Sequence, residues 1–95
     1  MRQYTTRQQT QHLIAIGFPL PQSVCLSPDN DIMIRGAYSI GELISFLVNP
    51  KIEDLAEVYR VEYDGADKPF IEKELIDALY FACEDIKEKN YKDLR

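Results

Sequence analysis

Residues 70–90 read FIEKELIDALYFACEDIKEKN, and Ile71, Leu75, Ala78, Leu79, Ala82, Cys83 and Ile86 recur there at the spacing of one helical face. Charged side chains fill most of the positions between them. The spacing predicts a long amphipathic helix over 70–90. An apolar stripe of this length must be buried against other elements, so the rest of the chain is read for what covers it.

Upstream, Thr5 or Thr6 is placed to cap a first helix over 6–16, with Leu13, Ile14 and Ile16 apolar and Gly17 as its stop. Phe18-Pro19-Leu20-Pro21 lacks the N–H groups to continue a helix and reads as a rigid connector. Residues 23–26 and 31–35 form two strand-like runs about Ser27-Pro28-Asp29-Asn30, the pattern of a hairpin. Ser39 followed by Glu42 makes a capping box for a second helix over 40–48, with Ile40, Leu43, Ile44, Leu47 and Val48 apolar and Asn49-Pro50 ending it. Residues 51–57 are ambiguous, since Ile52, Leu55 and Ala56 fit one short helical turn while the residues that follow fit a strand. Over 58–63, Tyr59, Val61 and Tyr63 alternate with Val58, Arg60 and Glu62, which predicts a third strand before the Asp64-Gly65 turn. The expected fold is α+β: a small antiparallel three-stranded sheet with helices packed on one face, order αββαβα, in a single domain over 1–95 with frayed ends.

Ninety-five residues bury about 60–65% of the surface of the unfolded chain, which makes for a modest core. The net charge of -5 is uneven. Arg2, Arg7 and Arg35 outnumber Asp29 and Asp31 before residue 36, and the acidic excess falls on the remainder. An acidic surface repels phosphate backbones, so nucleic-acid binding is disfavoured without being excluded. Cys25 and Cys83 have neither zinc-ribbon nor redox-motif spacing and read as buried, reduced thiols. No apolar signal core opens the chain, and no run approaches the roughly 18 apolar residues of a membrane span, so a cytoplasmic protein without a membrane partner is expected.

Catalytic chemistry has little to build on. His12 is the only histidine, with no carboxylate or thiol near it in sequence, and reads as an exposed or core-edge residue. Glu53-Asp54, Glu72/Glu74 and Glu84-Asp85 match no calcium loop and read as solvated helix charges, and no glycine-rich phosphate loop is present. No catalytic, cofactor or metal site is therefore expected. The segment Ser39-Ile40-Gly41-Glu42-Leu43-Ile44 resembles the start of helix-turn-helix recognition helices but offers no basic side chain before Lys51. Tyr59 and Tyr63 share one strand face, where core packing competes with base stacking. On the C-terminal helix, Asp77, Tyr80, Phe81, Glu84 and Glu88 form a strip outside the apolar stripe, an aromatic among acids of the kind that anchors protein interfaces. That strip is the candidate protein-interaction surface, unless Phe18-Pro19-Leu20 covers Phe81.

Three segments together carry a resemblance: Thr6-x-x-Gln9-x-x-x-Leu13-Ile14-x-x-Gly17-Phe18, YSIGELI at 38–44 and ELIDALY at 74–80. In this order they resemble short uncharacterised proteins encoded by prophages and other mobile elements of gut bacteria. The resemblance carries no established activity. It implies a mobile-element setting, in which small acidic proteins often bind host or phage proteins. The leading expectation is a non-enzymatic intracellular protein-interaction module that meets an unidentified protein partner or a second copy of itself. The alternative is a nucleic-acid-associated regulator using Arg2, Arg7 and the glutamines Gln3, Gln8, Gln9 and Gln11. The third, a small enzyme, requires a cleft in which His12 meets a carboxylate or thiol. If the helical stripe is the core, Leu79→Ala removes buried methyl groups and costs about 2–5 kcal/mol in a denaturant titration. An unchanged midpoint would refute that buried face.

Overall fold

Thr6 does what its position suggests: its hydroxyl accepts the Gln9 backbone N–H at 3.1 Å, and the Gln9 side-chain oxygen accepts the Thr6 N–H at 3.0 Å. That reciprocal box opens α1 (Arg7–Ala15), which turns out at Gly17 in a left-handed conformation with φ 112°. The computed structural model describes residues 2–21, 24–26 and 33–93, without the side chains of 24–26, 33–35 and 90–93. The element order is α1, β1 (Val24–Leu26), β2 (Met33–Arg35), α2 (Ile40–Ser45), β3 (Lys51–Asp54), β4 (Tyr59–Glu62), β5 (Phe70–Glu72) and α3 (Leu75–Asp93).

The fold is a small α+β arrangement with an antiparallel three-stranded sheet, ordered β3-β4-β5. Its central strand, β4, is the strand expected over 58–63, whereas its two partners are not the ones the sequence pattern predicts. The expected hairpin exists as β1 and β2, paired Val24 to Arg35 through Leu26 to Met33, but it forms a separate two-stranded ladder. Its turn at 27–30, with Ser23, Asp31 and Ile32, lies outside the described residues. The ambiguous stretch after Pro50 resolves as strand β3. Residues 70–72, expected as the first turn of the C-terminal helix, are strand β5, with Phe70 opposite Val61 and Ile71 opposite Arg60.

Cross-strand pairing explains both revisions. Strand β4 carries Val61 on the face that turns to α3, and its neighbours Ile52 and Phe70 stand on that same face by register. The opposite face holds Lys51 across from Glu62 and Glu53 across from Arg60, and Arg60 reaches both Glu53 (2.8 Å) and Glu62. Ile71 shares this outer face, which is why it is 49% exposed rather than part of the buried stripe. Helix α3 then starts at Leu75, where the Glu74 carbonyl accepts the N–H groups of Asp77 and Ala78.

Helix α3 crosses one face of the sheet, and α1 and α2 pack against α3. Ile76, Ala78, Leu79, Ala82 and Cys83 are sealed from solvent, with Leu13 from α1, Tyr38 just before α2, Leu43 from α2 and Val61 from β4. Ser39 and Glu42 form the expected capping box, with both bonds at 3.1 Å. Helix α2 nevertheless ends at Ser45, three residues before the expected Val48. The Phe46 and Leu47 N–H groups bond back only three residues, to Leu43 and Ile44, and this tightening swings Val48 out to 52% exposure.

The N-terminal arm is laced to the start of α2 by Thr5. Its N–H donates to the Tyr38 carbonyl, its hydroxyl accepts the Tyr38 N–H, both at 3.0 Å, and that hydroxyl shares a 2.6 Å bond with Thr10. The Tyr38 hydroxyl in turn donates to the Pro19 carbonyl at 2.6 Å, fixing the connector after α1. Phe18 stacks on Phe46 there with ring centroids 4.8 Å apart.

The β3–β4 turn holds Ala56 at φ 74°, a left-handed conformation that a Cβ disfavours. Ala56→Gly should relieve it and raise stability by about 0.5–1 kcal/mol after the added freedom of the unfolded glycine is discounted. The check is a higher urea midpoint at unchanged slope.

Candidate functional site

The α3 strip nominated as an interaction surface divides in two. Asp77 is taken up by the N-terminal arm: it pairs with the Arg2 guanidinium and accepts the Gln9 side-chain amide at 2.8 Å. The Arg2 N–H also donates to Glu74 at 3.3 Å. Glu84 meets the His12 Nε2 at 2.8 Å and accepts the Tyr80 hydroxyl at 3.3 Å, and Tyr80 lies edge-on to His12. These three residues join α3 to the arm and α1. Phe81 and Glu88 are left facing outward, Phe81 39% exposed.

Phe18 turns to Phe46 and Lys87 instead, with the Lys87 ammonium 4.8 Å above its ring, and Leu20 is exposed. The connector packs away from Phe81, whose ring contact is Tyr80 at 5.1 Å.

Phe81 opens onto a groove of about 510 Å³. One wall is the run Lys68-Pro69-Phe70-Ile71-Glu72, and the other is the α3 strip Phe81, Glu84, Asp85 and Glu88. The helical wall follows from spacing: positions i, i+3, i+4 and i+7 share a face. The strand wall was illegible from the helical reading of 70–90, which placed Phe70 and Glu72 on the helix itself. Pro69 was the available signal, since a proline there favours an extended predecessor after the Asp64-Gly65 turn. Four of the nine lining residues carry carboxylates and one, Lys68, carries an ammonium, so the groove combines an apolar lining from Pro69, Phe70, Ile71 and Phe81 with a net acidic one.

Two of those carboxylates have internal duties. Asp85 accepts the Tyr63 hydroxyl and sits 3.4 Å from Lys89, which also pairs with Asp67 at 3.3 Å and donates to the Gly65 carbonyl. Burial, then the bond to Asp85, pushes the Tyr63 hydroxyl well above its ordinary range. Tyr63 also stacks on Phe70, so this tyrosine is core, buried between β4, β5 and α3. Tyr59 is half-buried on the same strand.

His12 has the carboxylate partner that its sequence neighbourhood lacks, supplied from α3, but it stands at the α1–α3 seam and does not line the groove. Arg2 is occupied by Asp77, which removes one of the two arginines on which the N-terminal nucleic-acid alternative depends. In α2, the Ser39 and Glu42 side chains are spent on capping and Leu43 on the core, leaving little of that helix to read bases. Among the described residues no cluster of three metal-ligating side chains occurs, and no helix is long and apolar enough to cross a membrane.

The chain matches no protein-family model, no curated protein and no solved structure.

Two outcomes test this layout. The His12–Glu84 pair is largely solvated, so His12→Ala should lower stability by less than about 1 kcal/mol in a urea titration. Burial pushes the Cys83 thiol up from 9.0 to about 12. The folded state then holds that proton more tightly than the unfolded chain does. Its stabilisation is complete below pH 9 and is lost as pH climbs through 12. Tyr38, Tyr63 and Tyr80, raised mainly by burial, act in the same direction above their ordinary value of 10. Urea midpoints should fall across this alkaline window, and less steeply for Cys83→Ala.

Proposed function

We propose that the protein is a non-enzymatic, cytoplasmic interaction module, encoded by a mobile element, that docks a protein partner in the groove between β5 and α3. The observation that carries the reading is Phe81, a large aromatic side chain left 39% exposed at a groove of binding-site size while its neighbours Ala78, Leu79, Ala82 and Cys83 are committed to the core. Partly buried aromatics in such settings supply a large share of interface energy, because they exchange much apolar surface for little conformational entropy. Glu72 and Glu88 at the rim supply charge that selects a partner and its orientation more than it adds affinity.

The test is affinity capture of the tagged protein from host lysate, with and without nuclease, using the wild type, Phe81→Ala and Glu88→Lys. A partner that survives nuclease and is lost in both variants is expected. Capture that depends on nucleic acid and is indifferent to both substitutions would replace this reading with nucleic-acid association.

A further inference from the structure

Strand β5 is an edge: it pairs with β4 on one side and with no described strand on the other. The groove lies along that free side, because its lining comes from residues 68–72 and from α3 and includes nothing from β3 or β4. A free strand edge facing a helix across a trough is the geometry in which an extended peptide can add to a sheet, its main chain bonding the strand and alternate side chains reaching the helix. The helical wall from Phe81 to Glu88 is about 10 Å long, the reach of about three strand residues.

We propose that the occupant of this groove is an extended segment of alternating basic and apolar residues that joins the sheet as a strand beside β5; this rests on the docking reading above. Register sets the alternation. Side chains of an added strand on the α3 side meet Phe81, Glu84, Asp85 and Glu88, where a lysine or arginine stem covers the Phe81 ring and its cationic head reaches the carboxylates. Side chains on the other side lie beside the exposed Ile71 on the outer sheet face, which favours an apolar residue. Glu72 and Glu88 have no ion-pair partner among the described residues and are the carboxylates free to bind such a segment. The opposite edge, β3, is a poorer template: three of its four residues are charged, it is exposed throughout, and no helix stands beside it.

The probe is a capped hexapeptide of three Lys-Val repeats, titrated to millimolar concentration into the isotope-labelled protein by NMR. A Glu-Val repeat and two versions N-methylated at the lysines or at the valines serve as comparisons. Strand addition predicts shifts at the amides of Phe70, Ile71 and Glu72 together with Phe81 and Glu88, and no binding of the Glu-Val peptide. One N-methylated peptide should lose binding at least tenfold while the other retains it, since only one peptide edge faces β5. Glu72→Lys with Glu88→Lys should weaken the Lys-Val peptide by about tenfold.

Shifts confined to α3, or equal binding of both N-methylated peptides, would overturn strand addition while leaving the docking surface in place. Absence of any shift on β5 and α3 would also overturn it, and the Phe81→Ala capture then decides separately whether the docking reading survives. Broadening of the β5 amides with protein concentration alone would give the groove to a second copy of the chain and overturn a basic peptide as its occupant.

Discussion

Ile76, Ala78, Leu79, Ala82 and Cys83 reach no solvent because α3 is covered on more than one side, by β4 and β5 across one flank and by α1 and α2 across others. Burial of so many positions on one helix is the constraint that arranges the rest. In a chain this small the burial has to be shared among short elements, none of which is stable alone. The Cys83 thiol contacting the Leu43 carbonyl at 3.4 Å shows how closely α2 approaches the helix.

Polar interactions then settle which flank of α3 is closed. Asp77 and Glu84 are satisfied by Arg2, Gln9 and His12, so the N-terminal arm and α1 are bound along one side. Gln9 does this with the same amide that closes the α1 capping box, which couples the start of α1 to its docking on α3. Toward β5, among the described residues, Asp85 is tied inward through Tyr63 and Lys89. Phe81 and Glu88 are exposed there.

Local chemistry made part of this legible in advance. The caps Thr6/Gln9 and Ser39/Glu42 are short-range interactions, and both were readable from spacing alone. The stripe from Ala78 to Ile86 was readable because it follows a helical period. Residues 70–72 were not, because Ile71 also fits that period by coincidence and only pairing with Arg60 and Val61 reveals it as strand. The same non-local pairing resolved 51–54, where Lys51 and Glu53 find Glu62 and Arg60 on the outer face. For the candidate surface, the five residues divide between two flanks of α3, and nothing in sequence spacing reveals that Asp77 and Glu84 are used by residues about seventy positions away. The strand wall of the groove is hidden from the sequence for the same reason, since it depends on the pairing of 70–72 with β4.

Residues 70–72 form an edge strand beside a helix buried at its centre. Residue-resolved amide hydrogen exchange tests this most directly. Amides from Ala78 to Ile86 should exchange only with global unfolding. Within 70–72 protection should alternate, slow toward β4 and fast toward the groove. Uniform helical protection running from residue 70 into α3 would contradict it, and would remove the free edge on which the groove depends.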